Sequence, residues 1–198
     1  MKIRITPGAI LLIAALVFKR DMLLPATVLA AVLHECGHLL AARCLGIRLR
    51  LLELDMMGAK LYPAAQIPSY RSEALLAAAG PTASLLLALI PPVTPFRAAL
   101  RTATLSFALF NLLPIEGFDG GRVLHAVLAA LRGAETAARA LFCSSYLSLL
   151  LLFSLSACLL LRYGEDAALA VLSASLFARL FLALGSDAAP LCRPPRKK

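Results

Sequence analysis

Long apolar runs, separated by short polar stretches, dominate the chain. A helix of about 20 mostly apolar residues spans a bilayer, so these runs predict an all-α polytopic membrane protein with about six transmembrane helices. The predicted spans lie near residues 6–22, 24–46, 73–92, 97–131, 138–161 and 166–185. Polar residues interrupt the fourth run, and one of the six helices is therefore expected to be broken.

One polar stretch follows a different pattern. Residues 47–55 read Ile-Arg-Leu-Arg-Leu-Leu-Glu-Leu-Asp, which is close to a strict alternation of apolar and polar positions. Alternation of this kind predicts a strand, and a second strand over residues 59–62, after a turn at Gly58 and before Pro63, would complete a small cytoplasmic-side β-hairpin. An amphipathic loop at the membrane interface explains the same pattern.

Composition excludes an ordinary soluble domain. The hydrophobic fraction is 61% and the charged fraction 16%, whereas about 25% of the residues of a soluble domain are charged. The formal net charge is +9, but the basic residues lie between the apolar runs. This placement indicates lipid headgroups of a bilayer as the partner of the positive charge, and not nucleic acid.

The distribution of Lys and Arg also predicts the orientation, because basic residues near the ends of membrane helices favour the cytoplasmic side. With six spans and both termini cytoplasmic, most of the 20 Lys and Arg residues lie inside, and the residues outside are Lys19, Arg20, Arg97, Arg101 and Arg162. The sequence therefore predicts an integral multi-pass membrane protein, with one membrane domain over residues 1–189 and a basic tail over residues 190–198.

The second apolar run contains the motif His34-Glu35-Cys36-Gly37-His38, an HExxH sequence. Positions four apart share one face of a helix, so both imidazoles can bind one Zn²⁺ while Glu35 lies beside the metal. Polar residues in the hydrocarbon region cost several kcal/mol unless they are ligated, hydrogen-bonded or next to a water-filled cavity. The alternative is that these residues are structural polar groups between packed helices.

A catalytic zinc ion commonly has three protein ligands, so a third ligand is expected in another polar interruption of an apolar run. Residues 111–122 form such an interruption, with a proline at 114 and glycines at 117, 120 and 121 that disfavour a continuous helix. Within it, Glu116 is either a ligand or a solvated loop residue. His125 would face away on a following helix, where packing is a more common role than metal binding.

The HECGH sequence, the NLLP…DGGRVL segment and Ala79-Gly80-Pro81 between them resemble the site-2 protease family of intramembrane zinc metalloproteases, and in particular its stage IV sporulation protein FB type. The resemblance implies that His34, His38 and Asp119 bind Zn²⁺ and that Glu35 is the catalytic acid and base. It further implies that Asn111 contacts the substrate near the scissile bond. The family pattern often has Pro and Asn where this chain has Gly117 and Ser84.

The resemblance also predicts a function. Residues 1–189 would form an intramembrane metalloprotease domain in a bacterial cell membrane, cleaving a membrane-embedded or membrane-associated protein such as a transcription-factor precursor in sporulation. The alternatives are a protease-like membrane protein that binds partners without cleaving them, and a small transporter. Transporters often have paired broken helices in two halves, and metal binding alone does not require Glu35.

Overall fold

The structure of the protein, a computed structural model, describes residues 2–5, 23–55, 58–65 and 67–163 together with positions 175 and 178. These residues are mostly helical. The helices are α1 (Leu23–Cys44), α2 (Tyr70–Ala88), α3 (Pro95–Asn111), α4 (Asp119–Arg132) and α5 (Ala134–Tyr163). The strands are β1 (Lys2–Ile5), β2 (Leu49–Asp55) and β3 (Gly58–Pro63).

The helices follow the predicted apolar runs closely. Helices α1, α2 and α5 occupy the runs predicted at 24–46, 73–92 and 138–161, and α3 and α4 are the two halves of the interrupted run. Among the described residues, two segments are long and apolar enough to cross a membrane, Pro25–Cys44 and Ala134–Arg162. The spans predicted at 6–22 and 166–185 lie outside the described residues, apart from positions 175 and 178, so six spans stays a prediction.

The strands form a sheet of order β1-β2-β3, in which β1 is parallel to β2 and β2 is antiparallel to β3. The alternating stretch thus corresponds to β2, and Gly58, which was expected in the turn, is the first residue of β3. The predicted two-stranded hairpin lacked β1, because a four-residue strand can be recognised only through its pairing with a distant segment. The cytoplasmic location of the sheet stays a prediction.

Short connections hold the helices in place. Helix α1 ends at Cys44 and is followed by a left-handed glycine, Gly46 (φ +66°). The Ile47 N–H donates to the Ala42 carbonyl at 2.8 Å, so the chain leaves the helix through a Schellman-type turn. Only residues 89–94 join α2 to α3, whose first turn is capped by the Thr94 hydroxyl. Helix α2 lies at the centre and packs against α1, α3 and α4, and α5 packs against α4.

Small residues fill the interior and large apolar residues cover the outside. Among the residues that the structure describes, most of the buried apolar positions are alanines, namely Ala26, Ala30, Ala42, Ala77, Ala88, Ala103, Ala108, Ala126, Ala129 and Ala137. By contrast, Leu40, Leu86 and Leu161 are 65%, 62% and 88% exposed. Small residues at helix contacts with large apolar residues outside are typical of helices that pack within lipid.

Candidate metal centre

Helix α1 presents two imidazoles on one face. His34 and His38 are four residues apart in this helix, and each is buried between α1 and its neighbours. Their Nε2 atoms lie 3.3 Å apart, with the two rings edge to face. The helical spacing that the HExxH motif predicts is therefore present, and both ring nitrogens point at the same place.

The break between α3 and α4 brings a carboxylate to the same place. Residues 112–118, called here the polar break, connect Asn111 at the end of α3 to Asp119 at the start of α4. The Oδ2 atom of Asp119 lies 3.1 Å from Nε2 of His34 and 3.1 Å from Nε2 of His38. Among the described residues, His34, His38 and Asp119, called here the ligand cluster, form a group able to hold a metal ion.

The Nδ1 atoms of the two rings, which face away from the ligand cluster, also have hydrogen-bond partners. Nδ1 of His38 lies 2.8 Å from the carbonyl oxygen of Leu76, and Nδ1 of His34 lies 3.0 Å from the hydroxyl of Ser84. A carbonyl oxygen can only accept, so Nδ1 of His38 donates its hydrogen there. A neutral His38 then has a bare Nε2, whose lone pair faces the carboxylate of Asp119.

This arrangement fits a bound cation. Two acceptors, the bare Nε2 of His38 and Oδ2 of Asp119, face one another at 3.1 Å, and a positive charge between them removes their repulsion. Tetrahedral zinc with bonds of about 2.0–2.2 Å places its ligand atoms about 3.3–3.6 Å apart, slightly more than the 3.1–3.3 Å seen here. Two imidazole nitrogens and one carboxylate oxygen are also a ligand set that zinc accepts.

Gly80 leaves the space that the ion needs. A Cβ atom at Gly80 would lie 2.2 Å from Nε2 of His38 and 2.7 Å from Nε2 of His34. Any side chain there would enter the space on which the ring nitrogens converge. A glycine is therefore required where α2 passes the ligand cluster, and the residues present fit a zinc ion.

The polar break is held firmly against two helices. A Cβ at Gly120 would lie 2.1 Å from the Leu112 carbonyl oxygen, so only glycine lets the first turn of α4 pack this closely on the break. On the other side, the Ser144 hydroxyl donates to the Pro114 carbonyl at 2.9 Å, and the Glu116 N–H donates to the Ser145 hydroxyl oxygen at 2.8 Å. These contacts determine the position of Asp119.

The other candidate residues are not members of the ligand cluster. Glu35 is half-buried next to His34 in α1, and Asn111 donates from its amide to the Phe107 carbonyl at 3.0 Å. Glu116 is exposed, as expected for a solvated loop residue, and it lies outside the cluster. His125 is half-buried in α4 and is likewise not one of the clustered residues.

Two features near the site were not expected from the sequence. The sequence marks Ser84 as a departure from the family pattern, and its contact with His34 was not predicted. Arg122 lies one turn after Asp119 and pairs with its carboxylate. The Nη1 atom of Arg122 is 3.7 Å from Oδ1, the carboxylate oxygen that does not contact the histidines. The spacing of four between Gly80 and Ser84 was the available signal, because it places both on one side of α2.

Known proteins resemble the chain in sequence and in fold. A family model described as Peptidase M50B-like matches residues 8–116, and a model described as Peptidase family M50 matches residues 92–155. A comparison with curated protein sequences finds no match. The structure is similar to that of a site-2 protease from Methanocaldococcus jannaschii, with a TM-score of 0.63 and 21% sequence identity over 91% of this chain and 89% of that chain.

Proposed function

The chain belongs to the Peptidase M50B-like family, and from this membership and the ligand cluster we propose that it is a membrane-embedded zinc metalloendopeptidase. The observation that carries the proposal is the convergence of three buried donor atoms, from α1 and α4, within 3.3 Å of one another beside Glu35. The reaction we propose is peptide hydrolysis. His34, His38 and Asp119 would bind the zinc ion, and Glu35 would act as the acid and base.

Zinc held by the ligand cluster would supply Lewis-acid activation of water and of the peptide carbonyl. Glu35 accepts a proton from the attacking water and returns it to the leaving amine, first as base and then as acid. Leu76 and Ser84 hold the outer ring nitrogens, so the imidazoles keep one orientation while the proton moves. The carboxylate of Asp119 offsets part of the positive charge in this buried site.

The substrate we propose is a membrane-embedded or membrane-associated protein. A helical substrate has its carbonyls in backbone hydrogen bonds, so it must unwind locally before attack. Asn111 is proposed to contact the unwound segment, and it lies one helical turn from Phe107, whose ring centre is 6.0 Å from that of His34. To bind substrate, the Asn111 amide would exchange its bond to the Phe107 carbonyl for one to the substrate backbone.

Membrane integration supports this choice of substrate. Two described helices have the length and apolar composition of spans, and exposed leucines cover the outside of the bundle. A ligand cluster enclosed by such helices is reached most directly by a segment that already lies in the membrane. The more specific resemblance to stage IV sporulation protein FB, including a transcription-factor precursor as substrate and a bacterial cell membrane as location, stays a prediction.

The test compares the parent protein with Glu35→Gln in membranes that contain single-span reporter proteins. The amide of Gln cannot accept the proton, whereas the ligand cluster is intact, so we expect cleavage to be lost and zinc content to be retained. Cleavage would be followed by the size of the reporter on gels, and zinc by elemental analysis of the purified protein. Equal cleavage by both proteins would overturn the proposal.

A second comparison tests the ligands. We expect His34→Ala and Asp119→Ala to lose zinc, because each removes one of three donor atoms. Glu116→Ala is the matched control, since Glu116 is an acidic residue three positions before Asp119 but is exposed and outside the ligand cluster. Zinc binding by Asp119→Ala as tight as that of Glu116→Ala would contradict the proposed ligand set.

A further inference from the structure

Helix α2 contributes no residue to the ligand cluster, yet three of its positions surround the cluster. The Leu76 carbonyl contacts Nδ1 of His38, the Ser84 hydroxyl contacts Nδ1 of His34, and Gly80 lies opposite both Nε2 atoms. Residues four apart form a row along one side of a helix. This row of α2 therefore runs alongside His38 and His34 of α1. Leu76 lies at His38, Ser84 lies at His34, and Gly80 lies between them at the space for the metal.

We propose that Ser84 is a positioning residue of the zinc site, a role that rests on the metal binding proposed above. Its hydroxyl lies 3.0 Å from Nδ1 of His34, and its oxygen can accept the Nδ1 hydrogen that a neutral imidazole carries when Nε2 binds the metal. A neutral imidazole with its hydrogen on Nδ1 has the lone pair on Nε2, which is the atom that faces Asp119 and His38. Ser84 therefore holds the ring orientation in which His34 can bind zinc, and it supplies an acceptor for Nδ1–H in the metal-binding tautomer.

The two histidines differ in how they are held. The partner of His38 is a backbone carbonyl, which can only accept and which the helix keeps in place. The partner of His34 is a side-chain hydroxyl, and it is 0% exposed, so water does not compete with it. Outer partners of metal-binding histidines commonly raise metal affinity about 10–100-fold. His34 is therefore the ligand whose outer contact depends on one replaceable side chain.

A spacer role alone would require only that Ser84 be small. Gly80 and Ser84 lie where α2 passes α1, and small residues at such positions let two helices approach closely. Alanine is as small as serine and lacks only the hydroxyl oxygen. Ser84→Ala therefore keeps the helix spacing and removes the contact with His34, which separates positioning from packing.

The experiment measures metal binding by the full-length protein in detergent. Purified parent and Ser84→Ala would be stripped of metal and titrated with Zn²⁺ against a competing chelator, and the Co²⁺ absorption spectrum would report the ligand arrangement. We expect Ser84→Ala to bind Zn²⁺ on the order of 10–100-fold more weakly than the parent and to have an altered Co²⁺ spectrum. Its helical content, measured by circular dichroism, should equal that of the parent.

Ser156→Ala is the matched control. Ser156 is also a buried serine, but its hydroxyl donates to the Phe153 carbonyl within α5, away from the ligand cluster. We expect this variant to bind Zn²⁺ as the parent does. A loss in Ser156→Ala equal to that in Ser84→Ala would show that removing any buried hydroxyl suffices, and it would overturn the positioning role.

Ser84→Thr and Ser84→Val form a second pair, because threonine and valine have nearly the same shape and differ in the hydroxyl. Any effect of added bulk is common to both, so Ser84→Thr should bind Zn²⁺ more tightly than Ser84→Val. Equal affinities in this pair, or in Ser84→Ala and the parent, would overturn the proposal while the zinc site itself stands. A parent protein that binds no Zn²⁺ would overturn the proposed function and this inference together.

Discussion

The site depends on the position of single atoms. The Leu76 carbonyl accepts the Nδ1 hydrogen of His38, so in neutral His38 the Nε2 lone pair faces the Asp119 carboxylate. Two acceptors at this distance repel one another in a buried setting unless a cation or a proton lies between them. A metal ion between these atoms would remove that repulsion, so the hydrogen bonds that orient the ligand cluster also favour metal binding.

Gly80 is the residue where the absence of a side chain matters most. A Cβ atom there would lie 2.2 Å from Nε2 of His38, so Gly80→Ala should obstruct the metal directly. We expect Zn²⁺ binding to weaken by about 100-fold or more, because losing a hydrogen-bond partner of a ligating histidine already weakens it by about 10–100-fold. Gly46→Ala is the control, because a Cβ there meets nothing within 4 Å, although its φ of +66° strains the backbone by about 1 kcal/mol. Chelator competition checks both, and tight binding by Gly80→Ala would contradict this account.

At the scale of elements, the polar break between α3 and α4 decides where Asp119, the third residue of the ligand cluster, lies. Its backbone is anchored on α5 through Ser144 and Ser145, and Ile115 packs in the core against Leu149. Gly117 has a φ of +92°, a conformation that glycine adopts without strain. Helix α5 therefore acts on the ligand cluster indirectly, by holding the segment that leads to Asp119.

This anchoring predicts the effect of Ser145→Ala. The variant leaves the Glu116 N–H without its acceptor, which should destabilise the protein by about 1–3 kcal/mol and loosen the approach to Asp119. We expect weaker Zn²⁺ binding than in the parent but tighter binding than in Gly80→Ala, because the ligand atoms themselves are unobstructed. Thermal unfolding and zinc competition measure the two effects. Parent-like values in both would show that the anchor has no role.

Sequence was sufficient where the relevant residues are close along the chain. His34 and His38 share one helix, so their spacing alone predicts a shared metal. Asp119 is 81 residues beyond His38, and no spacing rule reaches it; only the family resemblance indicated this residue. The contact between Ser84 and His34 depends on the relative register of α1 and α2, which is set by tertiary packing, and β1 is defined only by its pairing with β2.

At the scale of the whole molecule, burial is arranged as expected in lipid. Within the described part of the chain, alanines and a few polar residues make up most of the interior, and many large apolar side chains are exposed. Helix α5 is the clearest case. It has 30 residues and is about 45 Å long, whereas the hydrocarbon core is about 30 Å thick, so its ends must extend beyond the core. Its first turns contain an exposed ion pair, Glu135 with Arg139, which suits the headgroup region.

The apolar part of α5 therefore begins after Arg139 and extends to Leu161, with Leu151 near its centre. Leu151 is 63% exposed, so Leu151→Arg should cost about 2.5–3.5 kcal/mol on membrane insertion, because the charge would lie at the midplane. Leu161→Arg is the matched control: it is 88% exposed and next to Arg162 at the helix end, where the charge can reach the headgroups. The measurement is the fraction of α5 that inserts, followed by glycosylation mapping. If α5 with Leu151→Arg inserted as well as with Leu161→Arg, Leu151 would not face lipid at the bilayer midplane, and this placement of α5 would be wrong.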